Sequence, residues 1–332
     1  MTAATDLLPL TLPTSWSATW LPVSSGQQAD EPLSARRLVL GWVLEPPVVT
    51  LLVLVAALYL WGVVRLARRG VRWRPGRSAA FLLGGLGTVA VATLSGLAAY
   101  DTVLLSTHMV QHMLLGMVAP IFLALGAPVT LLLRSLPPGG RRRTIRALHS
   151  RPARLLVNPL TGFVVFVASP VALYFTSWYP ATLESETHHA FMHAHFLLAG
   201  CLFLWPVLGV DPLPVRLPHL ARMGLVFAAL PFHAFLGLAI MTGDEPLAAE
   251  HYSALHRDWG PSLEADQQWA GGLLWASGDL VALLILGALF VQWARADARD
   301  AARMDRHLDR LDQVGAPAPL VDHSPDKRKV TS

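Results

Sequence analysis

The segment HMVQHM, His108 to Met113, sets two imidazoles four residues apart inside an apolar run. On a helix that spacing puts His108 and His112 on one face, about 6 Å apart along the axis. Two imidazoles so placed can chelate one metal ion. Met109 and Met113 form an adjacent stripe, continued by Met117. Thioethers favour soft Cu(I), whereas imidazole suits several metals. The competing reading is packing, with methionine as gap-filler and histidine as a hydrogen-bonded core residue.

A second cluster is denser. ETHHAFMHAH, Glu186 to His195, holds His188, His189, His193 and His195. Helical spacing puts His188, Met192 and His195 on one stripe and His189 and His193 on its neighbour. These motifs together support a metal site better than either alone, with some histidines as ligands and others supporting them. Two further groups sit in apolar surroundings. His233 and Asp279 fall at similar depths in their helices, about 12–13 Å below the outer end. An ionised carboxylate facing lipid is costly, so Asp279 should face the bundle and pair with His233. Asp266 and Gln267 directly precede the last apolar run and lie near the proposed histidine layer.

The elements that carry these residues follow from composition. The chain has 332 residues, 53% of them hydrophobic and 14% charged. Apolar runs, free of Asp, Glu, Lys and Arg except for Asp279, centre on 48–64, 79–99, 108–133, 159–178, 191–208, 223–242 and 271–293. Each approaches the roughly 20 apolar residues that span a bilayer as a helix. The expected fold is an all-α integral membrane bundle of seven transmembrane helices. Arginines gather after the first and third runs (Arg65–Arg77, Arg141–Arg154) and after the seventh. The positive-inside rule then puts the N-terminus outside and the C-terminus in the cytoplasm of a bacterial cell.

The histidine motifs fall on the opposite, outer side, a bias that topology does not explain. Pro120 and Pro128 should kink or end the third helix. Residues 1–45 read as an extracytoplasmic segment without a cleaved signal peptide. Residues 46–295 read as the transmembrane domain, and 296–332 as a basic cytoplasmic tail, disordered beyond Gln313. The single cysteine, Cys201, excludes CxxC metal motifs and a disulfide framework. The basic loops suit anionic membrane lipid and topology rather than nucleic acid. No nucleophile–base set or phosphate loop points to an enzyme.

Three ordered stretches carry a resemblance. They are THMVQHMLLGMVAPIFLALGAPVTLLLR (107–134), HAHFLLAGCLFLWPVLG (193–209) and DQQWAGGLLW (266–275). Over 46–293 the chain resembles the CtaG-type cytochrome c oxidase assembly factors. That resemblance implies a part in maturing a haem–copper oxidase, plausibly by supplying copper, with oxidase subunits as partners. His108, Gln111, His112, Pro120 and Pro128 match the family's third span, and Asp266 and Gln267 its last. HAH stands where the family has a His-rich or Glu–His pattern, so either His193 or His195 could be the equivalent residue. Two alternatives stand beside copper delivery. One is a copper or cation transporter using Asp279 and His233. The other is a b-type haem protein with paired histidine ligands.

Overall fold

The computed structural model describes residues 32–215 and 217–315. The expected N-terminal segment lies outside them up to residue 31, and so does the tail after 315. Among the described residues the architecture is all-helical. Helix α1 is Ala35–Leu40, α2 is Pro46–Ala67, α3 is Pro75–Tyr100 and α4 is Leu105–Ser135. Two short helices follow, α5 (Pro138–Leu148) and α6 (Arg151–Leu156). Then come α7 (Pro159–Tyr174), α8 (Trp178–Glu184), α9 (Glu186–Leu208) and α10 (His219–Met241). The last two are α11 (Ala249–Ala254) and α12 (Leu263–Gly315).

Six helices, α2, α3, α4, α9, α10 and α12, are long and apolar enough to cross a membrane. The fourth expected span is different. It is α7, of 16 residues, bent by 70° into α8. At 1.5 Å per residue, α7 alone reaches about 24 Å, short of a ~30 Å hydrocarbon core. Exposed Leu51, Val53, Leu54 and Leu58 on α2, with Phe227 and Phe235 on α10, give the bundle an apolar exterior. A water-facing monomer rarely carries so much.

Proline marks where helices start. Pro46, Pro75, Pro138 and Pro159 each stand in a first turn, where a missing N–H costs nothing. Inside α4 its effect is larger. Leu105–Met113 is α-helical, Leu114–Val118 widens into a π-turn, and Pro120 stands directly beyond it. Proline cannot return a hydrogen bond to the carbonyl four residues back, and a wide turn is one way to absorb that loss. The chain then breaks at Ala127, which is left-handed (φ 50°), and restarts at Pro128. The helix is thus interrupted at both prolines, by a widened turn before Pro120 and a break before Pro128.

Two distant carboxylates close the new helix ends. Asp266, on α12, accepts the backbone N–H of Leu105 at 2.7 Å and of Ser106 at 3.3 Å. Asp211 accepts from the N–H groups of Val129 (3.2 Å) and Thr130 (2.8 Å), and from Trp205 Nε1 at 3.0 Å. Anions at helix N-termini satisfy orphan donors and oppose the helix dipole. At the far end of α9, buried Arg222 donates to the carbonyls of Val207 and Leu208. Those carbonyls have no helical donor of their own.

Helix α9 lies between α4 and α7 because small residues let backbones approach. A Cβ on Gly200 would meet the Gly116 carbonyl oxygen at 2.0 Å, and one on Gly162 would meet the Leu202 oxygen at 2.4 Å. Close backbone contact of this kind is a common way for membrane helices to associate. It fixes α9 against α4, and with them the two histidine motifs.

The last helix runs to Gly315, for 53 residues or about 80 Å. One expectation needs correction: Asp279 does not hydrogen-bond His233. His233 Nδ1 donates to the Ala229 carbonyl at 3.2 Å, while Asp279 Oδ2 accepts from Trp275 Nε1 at 2.8 Å. Each forms its hydrogen bond within its own helix, four residues away. The two helices still meet there, since a Cβ on Gly278 would lie 2.8 Å from His233 Cδ2.

Candidate metal centre

The first turns of α4 and α9 and the turn after α3 converge on four histidines and one aspartate. His108 and His112 share a face of α4, with ring centroids 4.3 Å apart. His189 and His193 share a face of α9 at 4.4 Å, and His108 faces His189 at 5.9 Å. Asp101 closes the group. Its Oδ2 accepts from His189 Nε2 at 2.8 Å and lies 3.8 Å from His193 Nε2. Asp101, His189 and His193 can each offer a ligand atom, all within 4.8 Å of one another.

Hydrogen bonds assign several of these atoms. Gln111 is fully buried; its amide nitrogen donates to the Ala92 carbonyl at 2.8 Å, so its oxygen accepts from His193 Nε2 at 2.9 Å. Tyr174 Oη hydrogen-bonds His112 Nδ1 at 3.0 Å and lies 3.7 Å from Met109 Sδ. With the hydroxyl donating to the sulfur, His112 Nδ1 donates to the hydroxyl and the lone pair is on Nε2. An outer partner commonly holds a metal-binding histidine in that way. Glu45, exposed at the start of α2, belongs to the same neighbourhood. Burial, then repulsion from Asp101 and Glu186, holds its carboxyl above the usual range.

The deciding feature is what lacks a partner. His108 Nδ1, His108 Nε2 and His112 Nε2 are buried and make no hydrogen bond. Leaving such an atom unsatisfied costs about 1–3 kcal/mol, so buried polar groups are nearly always paired. A neutral imidazole has one lone pair, so these two adjacent rings could offer one nitrogen ligand each. A haem does not fit there. The rings pack on one another, on Tyr179 at 5.0 Å and on Phe196 at 4.1 Å, leaving no slot for a macrocycle.

The structure does not bring every expected residue here. His188 is exposed at the start of α9. His195 turns to the α7 side, hydrogen-bonds Ser169 Oγ at 2.7 Å and packs on Trp178. The helix rotates 100° per residue, so 188 and 195 share a stripe that the 189–193 face leaves behind. Met109 and Met192 are fully buried, and Met113 lies lower, beside the π-turn. Asp266 and Gln267 are occupied elsewhere: Asp266 caps α4, and Gln267 Oε1 accepts from Leu247 N–H at 2.6 Å.

The sequence profile of the cytochrome c oxidase caa3 assembly factors matches residues 57–296. The chain belongs to that family. Similar proteins include uncharacterised proteins of Mycobacterium bovis and Mycobacterium tuberculosis, each 40% identical over 291 residues. One of Mycobacterium leprae is 38% identical over the same length. Each alignment covers 86% of this chain and 44% of the relative, so the chain spans less than half the length of these relatives. No solved structure matches it significantly.

For this assembly-factor family member, the residue that sequence reasoning missed is Asp101. A signal was present: it is the only Asp, Glu, Lys or Arg between Arg77 and Arg134. Tyr174 and Tyr179 were missed too, because nothing in their local sequence shows that α7 and α8 fold over the histidines.

Proposed function

We propose that this chain is a seven-span protein of the bacterial plasma membrane that holds copper, as Cu(I), at its outer face and passes it to a cytochrome c oxidase subunit. The orphan nitrogens of His108 and His112, facing His189, His193 and Asp101, carry this reading. Counting the bent α7–α8 pair as one crossing gives the seven spans. The basic ends of α2 and α4 meet at the opposite end of the bundle, where Arg65 donates to the Ser135 carbonyl at 2.8 Å. By the positive-inside rule that end is cytoplasmic and the histidine end faces out.

Ligand chemistry supports Cu(I) over harder ions. Imidazoles and nearby thioethers dominate, and the one carboxylate is engaged with His189. Neutral ligands hold a monovalent ion without a large charge to overcome on release. Stepwise exchange with a partner's ligands is then feasible at an outer-face site.

The test is Cu(I) loading of the purified protein, with metal analysis and an optical spectrum on one sample. One tightly held copper per chain or more is expected, with no Soret band. Failure to retain copper against a weak Cu(I) chelator would end the copper reading, and a Soret band would restore the haem one. Asp101→Asn supplies a finer check. It keeps the shape but removes the charge that orients His189. Copper affinity should fall about 10–100-fold, as for other outer partners of metal-binding histidines. Unchanged affinity would show that Asp101 plays no part in holding the ion.

A further inference from the structure

Below the histidine cluster lies a cavity of about 30 Å³, lined from α4, α7, α9, α10 and α12. His112 forms part of its wall, Met113 precedes the π-turn and Met117 lies within it, and His233 lies on its α10 side. The remaining lining is apolar apart from Tyr174. A water needs about 10–15 Å³ on this measure, so the space is large enough for one ion.

The donor atoms are of one chemical kind. His233 spends Nδ1–H on the Ala229 carbonyl, its only hydrogen bond among the described residues, which leaves the lone pair on Nε2. Two thioethers and up to two neutral imidazoles make a soft, uncharged ligand set. Asp279, outside the cavity lining, has Oδ1 buried without a partner and follows Gly278, which packs on the His233 ring. A buried ionisable group within a span is by default a functional one.

We propose that this cavity is a second, deeper station for a monovalent soft metal ion, bound by Met113, Met117 and His233 and sharing His112 with the outer cluster. It rests on the reading of the outer cluster as a copper site and adds a place to store a second ion. His112 has one lone pair and serves one ion at a time: with both sites filled it stays with the outer ion, and with a single ion present it lets that ion pass between the sites by exchanging ligands one at a time. The apolar floor formed by Phe166 and Leu274 makes the cavity a store rather than a conduit.

The experiment uses the full chain in lipid nanodiscs with Ag(I) and, under reducing conditions, Cu(I) as probes. Wild type should bind two ions per chain, and X-ray absorption of the copper form should show sulfur as well as nitrogen neighbours. Met113→Leu with Met117→Leu, a volume-conserving change, should leave one ion and remove the sulfur signal. Should that double variant fail to fold, His233→Leu is read in its place and should also leave one ion. A single ion with nitrogen neighbours alone in wild type would overturn the second station and leave the outer site standing. Two ions persisting in the variants would overturn it as well. No bound ion in wild type would overturn both sites.

Discussion

His108→Leu is expected to raise the thermal stability of the metal-free protein while destroying its copper binding. The two effects have opposite signs for one reason. His108 is completely buried, and both of its ring nitrogens lack a hydrogen-bond partner. An unsatisfied buried polar group costs about 1–3 kcal/mol, and replacing it by an apolar group of similar size is neutral or favourable. The ring's neighbours, Tyr179 and Tyr174, present aromatic surface that a leucine can pack against. Stabilisation of about 1–2 kcal/mol is therefore expected, seen as a higher midpoint in detergent thermal unfolding. Copper affinity should fall by more than the 10–100-fold that loss of an outer partner causes, because a ligand itself has gone. A less stable metal-free variant would mean that the imidazole contributes to the fold as it stands. The stability–function conflict would then disappear, and with it the main physical reason for a metal here.

Gly200→Ala should have the largest structural effect of any single methyl group added to this protein. The new Cβ would stand 2.0 Å from the Gly116 oxygen and 2.7 Å from Pro120 Cγ. Backbone and a proline ring cannot swing aside, so α9 must move away from α4. Overpacking typically costs 1–3 kcal/mol, and the rigid neighbours put this case at about 3 kcal/mol or more. The movement also separates His189 and His193 from His108 and His112. Protein yield in the membrane, thermal midpoint and copper stoichiometry should all fall together. Wild-type values for all three would show that the α4–α9 contact is looser than described.

Much of the bundle was legible because membrane helices must be long and apolar, and because arginine marks one side. Pro120 and Pro128 announced the disruptions in α4. The site was legible as two motifs but not as a constellation. Spacing told which histidines share a helix face; it could not tell which face turns toward another helix. Hence His195, in the stretch that matches the family, points to Ser169, while Asp101, in no motif, closes the cluster. Depth arithmetic placed His233 and Asp279 at one level but not in contact, because each finds a partner four residues away on its own helix. The long extension of α12 was hidden by its charge, which reads as a tail yet is compatible with a solvated helix.

Asp266 adds a matter of timing. The carboxylate that anchors the first turn of α4 lies 161 residues downstream of the N–H it accepts at Leu105. A ribosome adds about 5–20 residues per second, so α4 waits roughly ten seconds or more for that anchor. During that wait the histidine-bearing turn has only water or lipid headgroups to meet its free amides. The start of α4 is therefore anchored only once the first turn of the last helix has been made.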